Sequence, residues 1–73
     1  MKNNSQKYYK SMFKEYPDVV NVKELQAMLG GISKKLAYRL LKNNLINFTK
    51  IGREYKIAKV DIILYLTEKD THN

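Results

Sequence analysis

Two consecutive glycines, Gly30-Gly31, separate two stretches that both read as helix. Before them, Asn21-Val22-Lys23-Glu24 has the form of a capping box. In that motif the Asn21 side chain accepts from the third helical amide, and Glu24 reaches back to the Asn21 amide. Val20 and Leu25 are spaced as a hydrophobic staple across the same start. The pattern predicts a helix over 22–29 that buries Val22, Leu25, Met28 and Leu29. The glycines end it, because glycine adopts the left-handed backbone that a sharp helix exit requires. Ser33 is then a favourable N-cap, and a second helix is predicted over 34–43. At about 100° per residue, Leu36, Ala37, Leu40 and Leu41 share one side of it. Lys34, Lys35, Tyr38, Arg39 and Lys42 fill the other. Each of these short helices buries one apolar side, so the flanking segments must complete the core.

Those flanks can be read in turn. Tyr9, Met12, Phe13 and Tyr16 fall at i, i+3, i+4 and i+7, which predicts a helix over 7–16. Pro17 stops it by pushing the preceding residue out of the helical region. Residues 1–6 are polar and expected to be disordered. Leu45 and Ile46 return the chain to the core. Phe48–Ile51 and Tyr55–Ile57 are β-prone runs, with Gly52-Arg53-Glu54 expected as a three-residue hairpin loop. In that register Thr49, Ile51, Tyr55 and Ile57 face inward, and Lys50, Arg53 and Lys56 face out. A last helix is predicted over 59–68, with Ile62, Tyr65 and Leu66 as its core side and Ile63 and Leu64 on its flank. Residues 69–73 are expected to form a disordered tail. The chain of 73 residues is long enough for one domain and not two. The expected fold class is α+β: a helix-turn-helix over 22–43, a two-stranded hairpin wing over 48–57 and a closing helix, with an extra N-terminal helix, in one domain over 7–68.

Several classes of activity are excluded by composition. The chain has no cysteine, and its one histidine is His72, so neither thiolate nor histidine metal clusters can form. No paired carboxylates sit in a recognisable pocket, and Gly30-Gly31 lacks the spacing of a phosphate-binding loop. The chain is therefore not expected to be an enzyme or to need a cofactor or small-molecule ligand. No run of about 18 apolar residues is present, and MKNNSQKYYK has no apolar signal-peptide core. A cytoplasmic protein without membrane association is the expectation.

Charge is distributed unevenly. Lys34, Lys35, Arg39, Lys42, Lys50, Arg53, Lys56 and Lys59 are opposed only by Glu54 in the window 33–59, which thus holds a charge equal to the whole net charge of +7. Basic and acidic residues outside it cancel. A polyanion-binding surface accounts for that asymmetry. Lys34 and Lys35 add a second argument. They stand in the first turn of their helix, where the macrodipole disfavours cations by about 0.3–1 kcal/mol each. An arriving phosphate or base edge would reverse that penalty. The plainer alternative is a solvated charged face.

The segments VKELQAMLGGISKKLAYRLLKNNLI, KIGREYKI and KVDIILYL resemble, in this order, the excisionase and MerR-like winged helix-turn-helix family. Ala27, Gly31 and Ala37 match the spacing of its helix-turn-helix unit, and KIGREYKI is similar to its basic wing. The chain departs from the pattern at Gly30, at Asn44 in place of a glycine, and in the N-terminal helix. The resemblance implies double-stranded DNA as partner, with the helix over 34–43 in the major groove. Arg39 would read a guanine edge or clamp a phosphate. Lys34, Lys35 and Lys42 would contact phosphate or guanine, and Tyr38 a thymine methyl or a phosphate. Lys50, Arg53 and Lys56 of the wing would lie on the backbone or in the minor groove. The implied role is that of an excisionase-like recombination directionality factor of a mobile element, working with a recombinase or integrase or with further copies of itself. The same resemblance also implies two alternatives: a small transcriptional regulator of a phage or mobile element, or a protein-interaction adaptor, such as a packaging subunit, that uses the winged helix fold.

Overall fold

A computed structural model describes residues 2–71 of the chain. Its central pair is α2 (Val22–Met28) and α3 (Lys34–Lys42). The capping box forms as the sequence predicts. The Glu24 amide donates to Asn21 Oδ1 at 2.7 Å, and the Asn21 amide donates to Glu24 Oε1 at 2.9 Å. Both glycines of the turn have positive φ, 88° at Gly30 and 86° at Gly31. The Gly30 amide donates to Ala27 O and that of Gly31 to Gln26 O, the paired bonds of a Schellman ending. No neighbour crowds either Cα, so the demand for glycine is conformational. Gln26 then donates through its side chain to Ile32 O, tying the far end of the turn back to α2. Ser33 Oγ accepts from the Leu36 amide and starts α3.

The second helix closes in the same way without glycine. Asn44 takes φ 60°, a conformation asparagine tolerates better than most residues. Its amide donates to Leu41 O and that of Leu45 to Leu40 O. Asn44 thus performs the role of the glycine it replaces. Ala37, Leu40 and Leu41 of α3 are buried, but Leu36 is 38% exposed. It lies at the margin of the apolar arc, about 120° around the helix from the middle of the Ala37–Leu41 side.

The wing is β2 (Thr49–Ile51) and β3 (Glu54–Ala58), and a third strand, β1 (Val19–Val20), joins them in the antiparallel order β1-β3-β2. β1 was not foreseen, since two residues carry no readable alternation. Val20 lies opposite Ile57, and both are fully buried. Ile51 pairs with Glu54, so the hairpin loop is the two residues Gly52-Arg53 and not three. Gly52 has φ 63° and Arg53 is not in the left-handed region, the pattern of a type II′ turn. One residue of register reverses which side chains share a face. Thr49 and Ile51 therefore share the outer face with Lys56 and Glu54, and Ile51 is 62% exposed. The inward placement expected for Thr49 and Ile51 is thus corrected, while Ile57 is buried.

α1 (Lys2–Met12) packs on α4 (Lys59–Thr71), which also lies against β3. The first helix was expected over 7–16. It begins earlier, because nothing in Asn3–Gln6 breaks a helix, and Lys2–Gln6 are helical rather than unstructured. It ends earlier because Phe13–Tyr16 form tight turns. Lys59 Nζ donates to Phe13 O at 3.2 Å and to Tyr16 O at 2.9 Å, holding those carbonyls to the start of α4. Phe13 is buried, but Met12 is exposed. Among the described side chains of α4, Ile62, Ile63 and Thr67 are buried, Tyr65 and Leu66 are half-buried and Leu64 is exposed. The sequence placed Ile63 on the flank. Because α4 is covered on two sides, by α1 and by the sheet, its buried arc is wider than one stripe. α4 continues through Thr71, past the expected end at 68. Met1, His72 and Asn73 lie outside the described residues, and with them part of the expected termini. The fully buried Val20, Leu25, Leu41, Ile46, Ile57 and Ile62 make the centre of one core.

Lys59→Met is expected to lower unfolding free energy by about 1–3 kcal/mol, because two carbonyls lose a charged donor. Urea denaturation measures this, and a change within about 0.5 kcal/mol would show that the contacts do not hold α1 in place.

Candidate nucleic-acid interface

The outward side of α3 carries Lys34, Lys35, Arg39 and Lys42, all exposed. No acidic residue stands in its first turn. Arg39 and Lys42 lie in the last turn, where the helix dipole favours cations. Lys34 and Lys35 lie in the first, where it does not. Tyr38 differs from its expected position. It is half-buried, with its ring edge-on to Tyr55 of β3 at 5.2 Å. Tyr38 is therefore the seam between α3 and the wing, not the centre of the exposed stripe.

Tyr55 is the hub of that seam. Its ring lies 5.1 Å from Phe48 and 5.2 Å from the Lys50 ammonium, besides its contact with Tyr38. Each aromatic contact of this kind contributes about 0.5–1.5 kcal/mol beyond burial. The two-residue turn puts Lys50 on the same face as Tyr55, and Lys56 on the opposite face with Glu54. The sequence placed Lys50 and Lys56 together, and the shifted register separates them. Lys56 Nζ lies 2.9 Å from Glu54 Oε1. The hydrogen bond from Lys56, and then its charge, hold the Glu54 carboxyl below its ordinary range. Arg53 stands exposed at the tip.

Between these elements runs a groove of about 510 Å³. α2 contributes Lys23 and Gln26, with Asn21 and Val22 at its start; α3 contributes Lys34 and Tyr38; the wing contributes Arg53 through Lys56. Four cations from three elements meet there with one carboxylate, that of Glu54. Of the predicted residues, Lys34, Tyr38, Arg53 and Lys56 line this groove, while Lys35, Arg39 and Lys42 continue along the open side of α3 and Lys50, across from Tyr55 on β2, is outside the lining. Lys23 was missed. Its neighbour Glu24 cancels it in any local count, and only the packing of α2 against β3 brings it to the wing. Lys59, counted in the basic window, is instead directed to the carbonyls of Phe13 and Tyr16. Among the described residues no cluster of His, Cys, Asp or Glu could hold a metal, and no helix is long and apolar enough to cross a membrane.

A family model described as a helix-turn-helix domain matches residues 19–70, from β1 into the last turn of α4 and without α1. No curated protein and no solved structure gives a significant match to the chain.

The attachment of the wing through Tyr55 has a direct consequence. Tyr55→Ala is expected to raise amide exchange in the hairpin by roughly tenfold, given about 1–2 kcal/mol of lost ring contacts. The amides of α2 should change far less. Equal acceleration in both would mean that Tyr55 supports the whole core and not the wing in particular.

Proposed function

The chain belongs to the helix-turn-helix domain family, which includes excisionase-like DNA-binding proteins, and from that premise we propose that it binds double-stranded DNA with sequence preference. In this reading α3 enters the major groove, and the wing over 48–57 lies on the neighbouring backbone or in the minor groove. One observation carries the reading: cations from α2, α3 and the wing border one concave surface, and Lys35, Arg39 and Lys42 stand exposed on α3 beyond it. Arg39 is the base reader, because a guanidinium matches the two acceptors of guanine. Lys34, Lys35 and Lys42 contact phosphate or guanine. Arg53 follows the backbone or dips into the minor groove, with Lys50 and Lys56 on either side of the hairpin. Tyr38 contributes chiefly by fixing the wing against α3 through its contact with Tyr55.

The biological role we assign is that of an excisionase-like directionality factor of a mobile element, acting beside a recombinase or as several copies on adjacent sites. Its support is the likeness of the three segments quoted above to that group, together with the small footprint of one such module, about 600–1,000 Å². A footprint of that size favours multiple copies or a partner over solitary binding.

Selection of bound sequences from a random duplex pool tests the role. Tandem repeats support the architectural reading, and a palindrome would replace it with a dimeric regulator. Absence of any duplex binding would leave the adaptor reading. With five or six phosphates engaged, the slope of log K against log salt is expected near −5, from about −0.9 per phosphate. Arg39→Ala should abolish most discrimination between selected and random duplex while generic affinity survives; equal losses on both would remove Arg39 as the reader. Arg53→Ala should weaken binding to all sequences alike and flatten the slope by about one unit. An unchanged slope would take the wing off the DNA.

A further inference from the structure

Glu54 is the one acidic residue among the eight cations of the window 33–59, and it is part of the lining of the groove. Its carboxylate lies 2.9 Å from the Lys56 ammonium, with 73% of its own side chain exposed. Exposed ion pairs of this kind contribute little to stability, so hairpin stability alone does not account for it. The pairing has a direct consequence for a polyanion. A phosphate oxygen that approached Lys56 would find the same position already filled by a carboxylate oxygen.

We propose that Glu54 is an internal competitor for the phosphate position on Lys56, and that it lowers the affinity of this groove for DNA of any sequence. The inference rests on the DNA-binding reading above and adds a residue that works against binding. Two effects act together. A lysine already neutralised by its own protein attracts no phosphate and, on contact, causes little counterion release. The carboxylate also repels phosphates drawn toward Lys23, Lys34 and Arg53, which border the same groove, since charges act over roughly 10 Å at ordinary salt. Generic binding depends almost wholly on phosphate attraction. A chain with a net charge of +7 would otherwise be held on nonspecific DNA, and one misplaced carboxylate reduces that retention.

The test is a set of salt titrations on random-sequence duplex with four proteins: wild type, Glu54→Gln, Lys56→Met and the double variant. Glu54→Gln should bind roughly two- to fivefold tighter at a fixed salt concentration, with a slope steeper by about one unit. Lys56→Met in the wild-type background should change the slope by much less than one unit. In the Glu54→Gln background it should remove the gained unit, and this non-additivity identifies Lys56 as the site of competition. If Glu54→Gln leaves affinity and slope as they were, the inference fails. It also fails if Lys56→Met alone flattens the slope by a full unit, since Lys56 would then be an ordinary phosphate contact. A wild-type protein that binds no duplex at any salt overturns the DNA-binding reading itself. Both substitutions lie on the exposed face of a hairpin, and thermal melting verifies that all four proteins are folded.

Discussion

Gly52 takes a left-handed backbone and Arg53 does not, so only two residues separate Ile51 from Glu54. From this turn the geometry of the interface follows. The two-residue loop sets Lys50 opposite Tyr55, and it puts Phe48, Lys50, Tyr55 and Ile57 on the face that meets the rest of the domain. Tyr55 then reaches Tyr38, and the hairpin becomes part of the same body as α3. With β3 anchored by the buried Ile57 and by β1, a loop longer by one residue would reverse β2 against it, turning Phe48 and Lys50 away from the face of Tyr55 and bringing Thr49 and Ile51 onto it. The groove between α2, α3 and the wing exists because the hairpin is held at one distance from α3, and that distance is set by two tyrosine rings in edge contact.

The helix pair was legible in the sequence because its signals are local. Asn21 and Glu24 are three residues apart, Ser33 caps an amide three residues on, and Gly30-Gly31 answer a backbone requirement that no neighbouring element alters. Even the departure at Asn44 is resolved by chain-local geometry, since asparagine and glycine share access to the same region. The features that escaped are those that depend on distant partners. Val19–Val20 became a strand because β3 offers it an open edge. Ile63 was buried because α1 covers a side of α4 that the sequence left to solvent. The hairpin register was misread because Gly52-Arg53-Glu54 contains a plausible turn of either length, and only pairing decides between them.

Formal charge proved an incomplete guide for a related reason. The window 33–59 holds +7 on paper, but its cations have different employments. Lys59 serves the end of the N-terminal helical segment, Lys56 is matched by Glu54, and Lys50 rests over an aromatic ring. In exchange, Lys23 enters the surface from a stretch whose local charge is zero. What a polyanion meets is therefore a selection from the basic residues that only the tertiary fold makes.

The central strand of the sheet has one further effect, on the order in which the molecule can come into being. Val19 and Val20 find their partners at Ala58 and Ile57, which are synthesised long after them. While the polypeptide is growing from the ribosome, α2 and α3 can form and pack through nearby residues, but the edge of β1 stays open. Pairings between distant parts of a chain are slow to form, because loop closure must come before any gain. The cationic concavity is therefore complete only when the hairpin has paired with β1 and packed against α3.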